Sequence, residues 1–84
     1  MAHLGSPVTQ VGRPGFHVQA GAFRNREYAD DLVRHLRARG YLATLVEGPL
    51  IRVWVGPQRT REAAERLAGD LRSDGFAAIL SPAR

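Results

Sequence analysis

VQAGAFRNREYADDLVRHLRARGYLATL, residues 18–45, returns as VWVGPQRTREAAERLAGDLRSDGFAAIL, residues 53–80, at a fixed offset of 35. Laid over one another without a gap, the halves agree at Val18/Val53, Gly21/Gly56, Arg24/Arg59, Arg26/Arg61, Glu27/Glu62 and Ala29/Ala64. They agree again at Leu32/Leu67, Leu36/Leu71, Arg37/Arg72, Gly40/Gly75, Ala43/Ala78 and Leu45/Leu80, which makes 12 of 28 pairs. The agreement covers apolar, glycine and charged positions, so the two halves share a backbone plan. Two copies are too few to stack as a solenoid. They predict two halves that close on each other.

Each half changes its period in the same places. Phe16-His17-Val18-Gln19-Ala20 alternates apolar and polar, the pattern of a strand with one buried face. Asn25 supplies a helix cap through its side-chain oxygen, and Glu27 puts negative charge where the helix dipole favours it. Ala29, Leu32, Val33 and Leu36 follow at helical spacing, and Gly40 supplies the stop, which predicts a helix over Arg26–Arg39. Tyr41–Val46 reads as a second strand, Glu47-Gly48-Pro49 as a turn, Leu50–Val55 as a third strand, and Gly56-Pro57 as its end. Thr60, at the position of Asn25, caps a second helix over Arg61–Asp74 whose buried side is Ala63, Ala64, Leu67, Ala68 and Leu71. Gly75 ends it, and Phe76–Leu80 gives the last strand.

The order β-α-β-β-α-β, with right-handed crossovers, predicts an α+β fold of ferredoxin-like type. That is a two-layer sandwich with a four-stranded antiparallel sheet of order 2-3-1-4. Both helices cover one face and leave the other open. Residues 1–15, with Gly5, Ser6, Pro7, Gly12, Pro14 and Gly15, carry no period and read as a flexible lead, leaving 16–84 as the single domain.

With 84 residues, the core supplies only roughly 3–5 kcal/mol of net stability, a poor base for an elaborate buried active site. The absence of cysteine excludes a disulfide framework and a thiolate metal site. No run approaches the about 18 apolar residues of a membrane span, and residues 1–15 have no apolar signal region, so if the domain works outside the cytoplasm its export signal is expected on another segment. The formal charge is +4 and all 12 basic residues are Arg. That favours an anionic partner such as nucleic acid or cell-wall polymer, although the Arg residues are spread along the chain, as on ordinary solvated faces.

Alternation assigns the uncovered face. With Phe16, Val18 and Ala20 turned to the helices, His17, Gln19 and Gly21 point outward; with Ile51, Val53 and Val55 turned inward, Leu50, Arg52 and Trp54 point outward. Gln19, Arg52 and Trp54 are therefore expected side by side on the two central strands. Trp offers a flat apolar platform, Gln both donors and acceptors, and Arg a fork of donors. Such a face suits a flat ligand rich in hydroxyl, amide or acidic groups. Catalysis is not expected. Seven of the eight carboxylates fall on helix faces, all but Glu47, where the facing pair needed to cleave a glycosidic bond is not formed. His3, His17 and His35 lack metal-ligand spacing, and Gly21 and Gly56 each stand alone where a phosphate loop needs several glycines. No cofactor is implied.

At Val18-Gln19-Ala20-Gly21-Ala22-Phe23, then Ala29, Leu32, Leu36, Gly40-Tyr41 and Arg52-Val53-Trp54-Val55-Gly56-Pro57, the chain resembles the SPOR (sporulation-related repeat) family. The likeness runs from Phe16 to about Leu80 and includes the internal repeat. It implies an extracytoplasmic module, in the periplasm or cell wall, that binds peptidoglycan glycan strands stripped of their stem peptides. Such modules carry amidases, lytic transglycosylases and division proteins to the septum. The resemblance also implies the open sheet face as the glycan site, with Gln19 and Arg52 in the family's Gln and Arg positions and Leu50 and Leu80 as apolar contacts. Ala22 stands where many members have Ser, Leu50 where an aromatic is common, Ile51 where Tyr is frequent, and Gln58 where an aromatic usually follows Gly-Pro; Trp54 compensates for the missing stack. A monomer is expected.

The rival reading is an RNA-binding module, since RNA-recognition motifs share this topology and bind on the same face. Their third strand carries an Arg/Lys-Gly-aromatic-Gly/Ala-aromatic run. Leu50-Ile51-Arg52-Val53-Trp54-Val55 has one aromatic, and neither His17 nor Gln19 is Phe or Tyr. The sequence thus favours glycan over nucleic acid. A third reading, dimerisation through the sheet, is open to gel filtration.

Overall fold

The two halves start and stop their helices by the same devices. Asn25 Oδ1 accepts the Glu27 N–H at 2.8 Å, and Thr60 Oγ1 accepts the Ala63 N–H at 3.1 Å, so each cap satisfies a donor that the helix leaves unpaired. At the other end Gly40 and Gly75 take φ of +92° and +94°, a conformation that costs a residue with a Cβ about 1–2 kcal/mol. The turn lets Tyr41 N–H reach Leu36 O (3.0 Å) in one half and Phe76 N–H reach Leu71 O (2.9 Å) in the other. Arg37 donates from Nε and Nη2 to Ala43 O at 3.2 and 2.9 Å; its counterpart Arg72 donates to Ala78 O at 2.8 Å. Each Arg ties the end of its helix to the start of the next strand, which explains why a charge recurs among the repeat's identities.

A computed structural model describes residues 15–83 as β1 (Gly15–Phe23), α1 (Arg26–Ala38), β2 (Ala43–Val46), β3 (Ile51–Gln58), α2 (Arg61–Ser73) and β4 (Ile79–Ala83). The sheet order is β2-β3-β1-β4 with every neighbour antiparallel. This is the expected α+β, ferredoxin-like arrangement. The expected lead over residues 1–15 lies outside the described residues except for Gly15, the first residue of β1. Among the described residues no helix is long and apolar enough to cross a membrane.

The core lies between the sheet and the helices: Val18, Ala20, Ala43, Val53, Val55 and Ala78 from the sheet side meet Ala29, Val33 and Leu36 of α1 and Ala64, Ala68 and Leu71 of α2. Leu32 and Leu67 are half-buried at its margin. The helix C-termini converge. Tyr41 and Phe76, counterparts in the repeat, pack edge to face with ring centroids 6.3 Å apart. Tyr41 Oη donates to Asp74 Oδ2 at 2.6 Å, which pushes the phenol up to about 12, the hydrogen bond acting first and then desolvation and the negative charge of Asp74 and Asp70.

All four strands depart from their expected limits, and β1 runs Gly15–Phe23 instead of Phe16–Ala20. Tyr41 serves the helix junction, so β2 begins at Ala43 instead of Tyr41. The third strand continues past Val55 to Gln58, because Gly56, at φ +118°, absorbs a register shift that a residue with a Cβ resists. The last strand is Ile79–Ala83 instead of Phe76–Leu80, and it runs through Pro82. Proline lacks a ladder donor, but β4 is an edge strand, where that loss is tolerated.

Candidate functional site

The helices leave one sheet face uncovered by any described element, and the register shows what stands on it. Gln19 pairs with Trp54 across the central strands, flanked by Thr44 opposite Trp54 and Ile79 opposite Gln19. One row of the face therefore reads Thr44, Trp54, Gln19, Ile79 from β2 to β4. Next to it, Arg52 lies between Val46 and Ala22. On the other side of the central row, His17 pairs with Ser81. Gln19, Arg52 and Trp54 thus come together as expected. Leu50 lies one residue before β3, half-buried and outside the core cluster.

A bulge in β1 alters the alternation read from the sequence. The register passes from Gln19↔Trp54 to Gly21↔Val53, so Ala20 is the extra residue. Ala20 is buried, and a Cβ on Gly21 would stand 2.8 Å from Phe23 Cε2 and 3.0 Å from Leu32 Cδ2. Gly21 therefore faces the helices, contrary to the outward placement expected from strict alternation. The bulge turns the following residue over: Ala22 is exposed beside Arg52 instead of beneath the helices.

Leu80 does not stand on this face. It pairs with Val18 and packs against the core, lining a shallow groove of about 520 Å3 between α2 and β4 with Arg61, Glu65 and Arg72. Its neighbour Ile79, 62 % exposed, occupies the open side. The repeat carried this signal: Leu80 is the counterpart of Leu45, which pairs with the inward Val53. By the same rule Ile79 is the counterpart of Thr44, and Ser81 that of Val46. These four flanking residues, Thr44, Val46, Ile79 and Ser81, are what reasoning from the central strands alone misses.

The face is cationic at one end and aromatic at the other. Among the described residues no carboxylate pairs with Arg52; the ion pairs are Arg26–Glu47, Arg34–Asp31, Arg39–Asp74 and Arg61–Glu65, and none of them includes a face residue. His17 packs on Trp54 with ring centroids 4.2 Å apart and planes tilted by 31°. Burial lowers the His17 pKa, which favours the neutral ring. His17 Nδ1 and Trp54 Nε1 are both shielded and have no hydrogen-bond partner. None of the eight carboxylates is among the face residues, and among the described residues no three His, Asp or Glu side chains cluster as metal ligands. The arrangement is chemically suited to stacking, amide hydrogen bonding and one ion pair.

The SPOR domain family profile matches residues 12–82. The solution structure of the peptidoglycan-binding domain of the B. subtilis cell wall lytic enzyme CwlC is similar to this chain, with a TM-score of 0.74 and 29 % sequence identity. The similarity covers 83 % of this chain and 91 % of that domain. No curated protein sequence matches the chain.

Proposed function

The chain belongs to the SPOR domain family, and from that premise we propose that it is a non-catalytic module that binds peptidoglycan on its open sheet face. The similar CwlC domain is itself peptidoglycan-binding, which supports the coarse reading. The finer reading is that the ligand is a glycan strand stripped of its stem peptides, bound outside the cytoplasm, and that binding directs the parent protein to the septum. The observation that carries it is the pairing of Gln19 with Trp54 at the centre of a sheet face that no described element covers, with Arg52, ion-paired to no described carboxylate, beside them. Trp54 supplies a surface for the apolar face of a sugar ring, Gln19 hydrogen-bonds an acetamido or hydroxyl group, and Arg52 meets a muramic acid carboxylate. Ala22 and Leu50 border this contact.

Removing stem peptides uncovers the carboxylate and clears the approach to a flat sheet, so amidase-treated sacculi should bind more protein than untreated ones. On those sacculi Gln19→Ala should lose about 1 kcal/mol, and Trp54→Ala more, because a large contact and its exclusion of water go together. Arg52→Ala should bind more weakly at low salt than at high salt relative to the parent, since exposed charge pairs are screened. Arg34→Ala, paired to Asp31 on α1, should bind as the parent does. Equal binding by all four folded variants, or displacement of the glycan by single-stranded RNA, refutes the reading and in the second case favours a nucleic-acid module.

A further inference from the structure

The face is built on a pseudo-two-fold axis that its side chains break. Gln19 and Trp54 are counterparts in the repeat, 35 residues apart, and they are also register partners. A pair that maps onto itself under the repeat marks the axis, which here emerges through the centre of the candidate site. The pairs around it obey the same relation: Thr44↔Trp54 corresponds to Gln19↔Ile79, and Val46↔Arg52 to His17↔Ser81. The core keeps the symmetry, as Val18/Val53, Ala29/Ala64, Leu36/Leu71 and Ala43/Ala78 are identical and buried. The face does not. His17/Arg52, Gln19/Trp54, Thr44/Ile79 and Val46/Ser81 all differ, although 12 of the 28 aligned pairs between residues 18 and 80 are identical.

A symmetric face presents the same contacts to a strand laid in either direction. A glycan strand has a direction, since its reducing and non-reducing ends differ. We infer that this face reads that direction: the strand lies on it with one polarity, selected by Arg52 at one end and the His17–Trp54 stack at the other. The inference rests on the glycan reading above. Arg52 and His17 occupy equivalent places on opposite sides of the axis, roughly four residues or 13 Å apart along the strands. A carboxylate-bearing sugar is drawn to the guanidinium, which no described carboxylate neutralises. At the equivalent place the shielded His17 ring, its burial opposing protonation, offers an apolar surface continuous with Trp54. Turning the strand round and sliding it by one sugar returns a carboxylate to Arg52 but exchanges the acetamido and hydroxymethyl edges of the sugar that lies over Gln19 and Trp54, so the two directions do not make the same contacts.

The test uses a short peptide-free glycan oligosaccharide carrying a nitroxide at its reducing end, added to isotope-labelled domain and read by paramagnetic broadening of backbone amides. In the parent, amides at one end of the face only, either around Val46 and Ala22 or around His17 and Ser81, should broaden. The exchange variant, His17→Arg with Arg52→His, should move the broadening to the opposite end, and Arg52→Gln should spread it over both. Equal broadening at both ends of the parent overturns the inference while leaving glycan binding intact. So does broadening confined to one end that neither folded variant alters. An oligosaccharide that perturbs no amide of the face overturns the glycan reading and the directional one with it.

Discussion

Truncating Leu36 or Leu71 should come close to unfolding the domain. These counterparts are both fully buried, one from each helix, beneath the central strands. Leu→Ala removes three carbons, a transfer loss of about 2.4 kcal/mol at about 0.8 kcal/mol per buried methylene. The cavity left behind brings the total into the range of about 2–5 kcal/mol. A domain this small holds roughly 3–5 kcal/mol in all, and each kcal/mol moves its melting temperature by about 4–8 °C. Both variants should therefore melt at least about 10 °C below the parent, if they fold at all. Leu32 and Leu67 look equivalent in helical spacing, but they are half-buried at the margin, so their Ala variants should melt at higher temperatures than the first pair. Thermal melts by circular dichroism on the four single variants decide it. If Leu36→Ala or Leu71→Ala melts within about 3 °C of the parent, or above the Leu32 and Leu67 variants, the core has been placed at the wrong helix positions.

Other consequences are as direct. Ala22→Ser places a hydroxyl beside Arg52 on the exposed face, and a new hydrogen bond to the sugar should tighten sacculus binding about five-fold, for about 1 kcal/mol; unchanged affinity removes Ala22 from the site. Trp54→Phe keeps a ring against His17 but deletes the shielded, unpaired Nε1–H, so its melting temperature should match or exceed the parent's while glycan binding weakens. A loss of both together makes the indole a structural residue. The Tyr41 phenol, raised from 10.0 to about 12 by its bond to Asp74, contributes stability that is fully present below the ordinary phenol range and lost as pH rises through the raised value. Denaturant melts between about pH 10 and 12 should show that loss in the parent and a flatter profile in Tyr41→Phe; parallel profiles refute the assignment.

The helices and their ends were legible because each is signalled by local chemistry that needs no partner. Asn25 and Thr60 cap, Gly40 and Gly75 stop, and the apolar spacing turns one side inward. Sheet order followed from the crossover rule. What escaped a strand-by-strand reading was set by pairing. The bulge at Ala20 depends on how β1 meets β3, and it alone decides that Gly21 faces the helices and Ala22 the open side. Likewise Ser81-Pro82 reads as a strand end until β4 is known to be an edge. Leu80 was readable in principle, since its counterpart Leu45 stands opposite an inward Val53; the family position obscured what the repeat stated.

Stability and binding occupy separate sets of residues here, and the polar bookkeeping shows it. No face residue, neither His17, Gln19, Arg52, Trp54, Thr44 nor Ile79, belongs to the buried core cluster or to the side chains packed against it. The fold does not need an indole at position 54 or an imidazole at position 17. Yet both shielded, unpartnered side-chain nitrogens among the described residues belong to this pair. A shielded polar group without a partner costs about 1–3 kcal/mol, a substantial share of a stability of roughly 3–5 kcal/mol. Val or Phe would remove that cost at no loss to the core. Local rules are broken in proteins chiefly where function requires it, and here the breach coincides with the centre of the uncovered face, beside the axis that the repeat defines. The cost makes sense if the indole is retained for what its exposed ring surface meets there: a ligand that stacks on it.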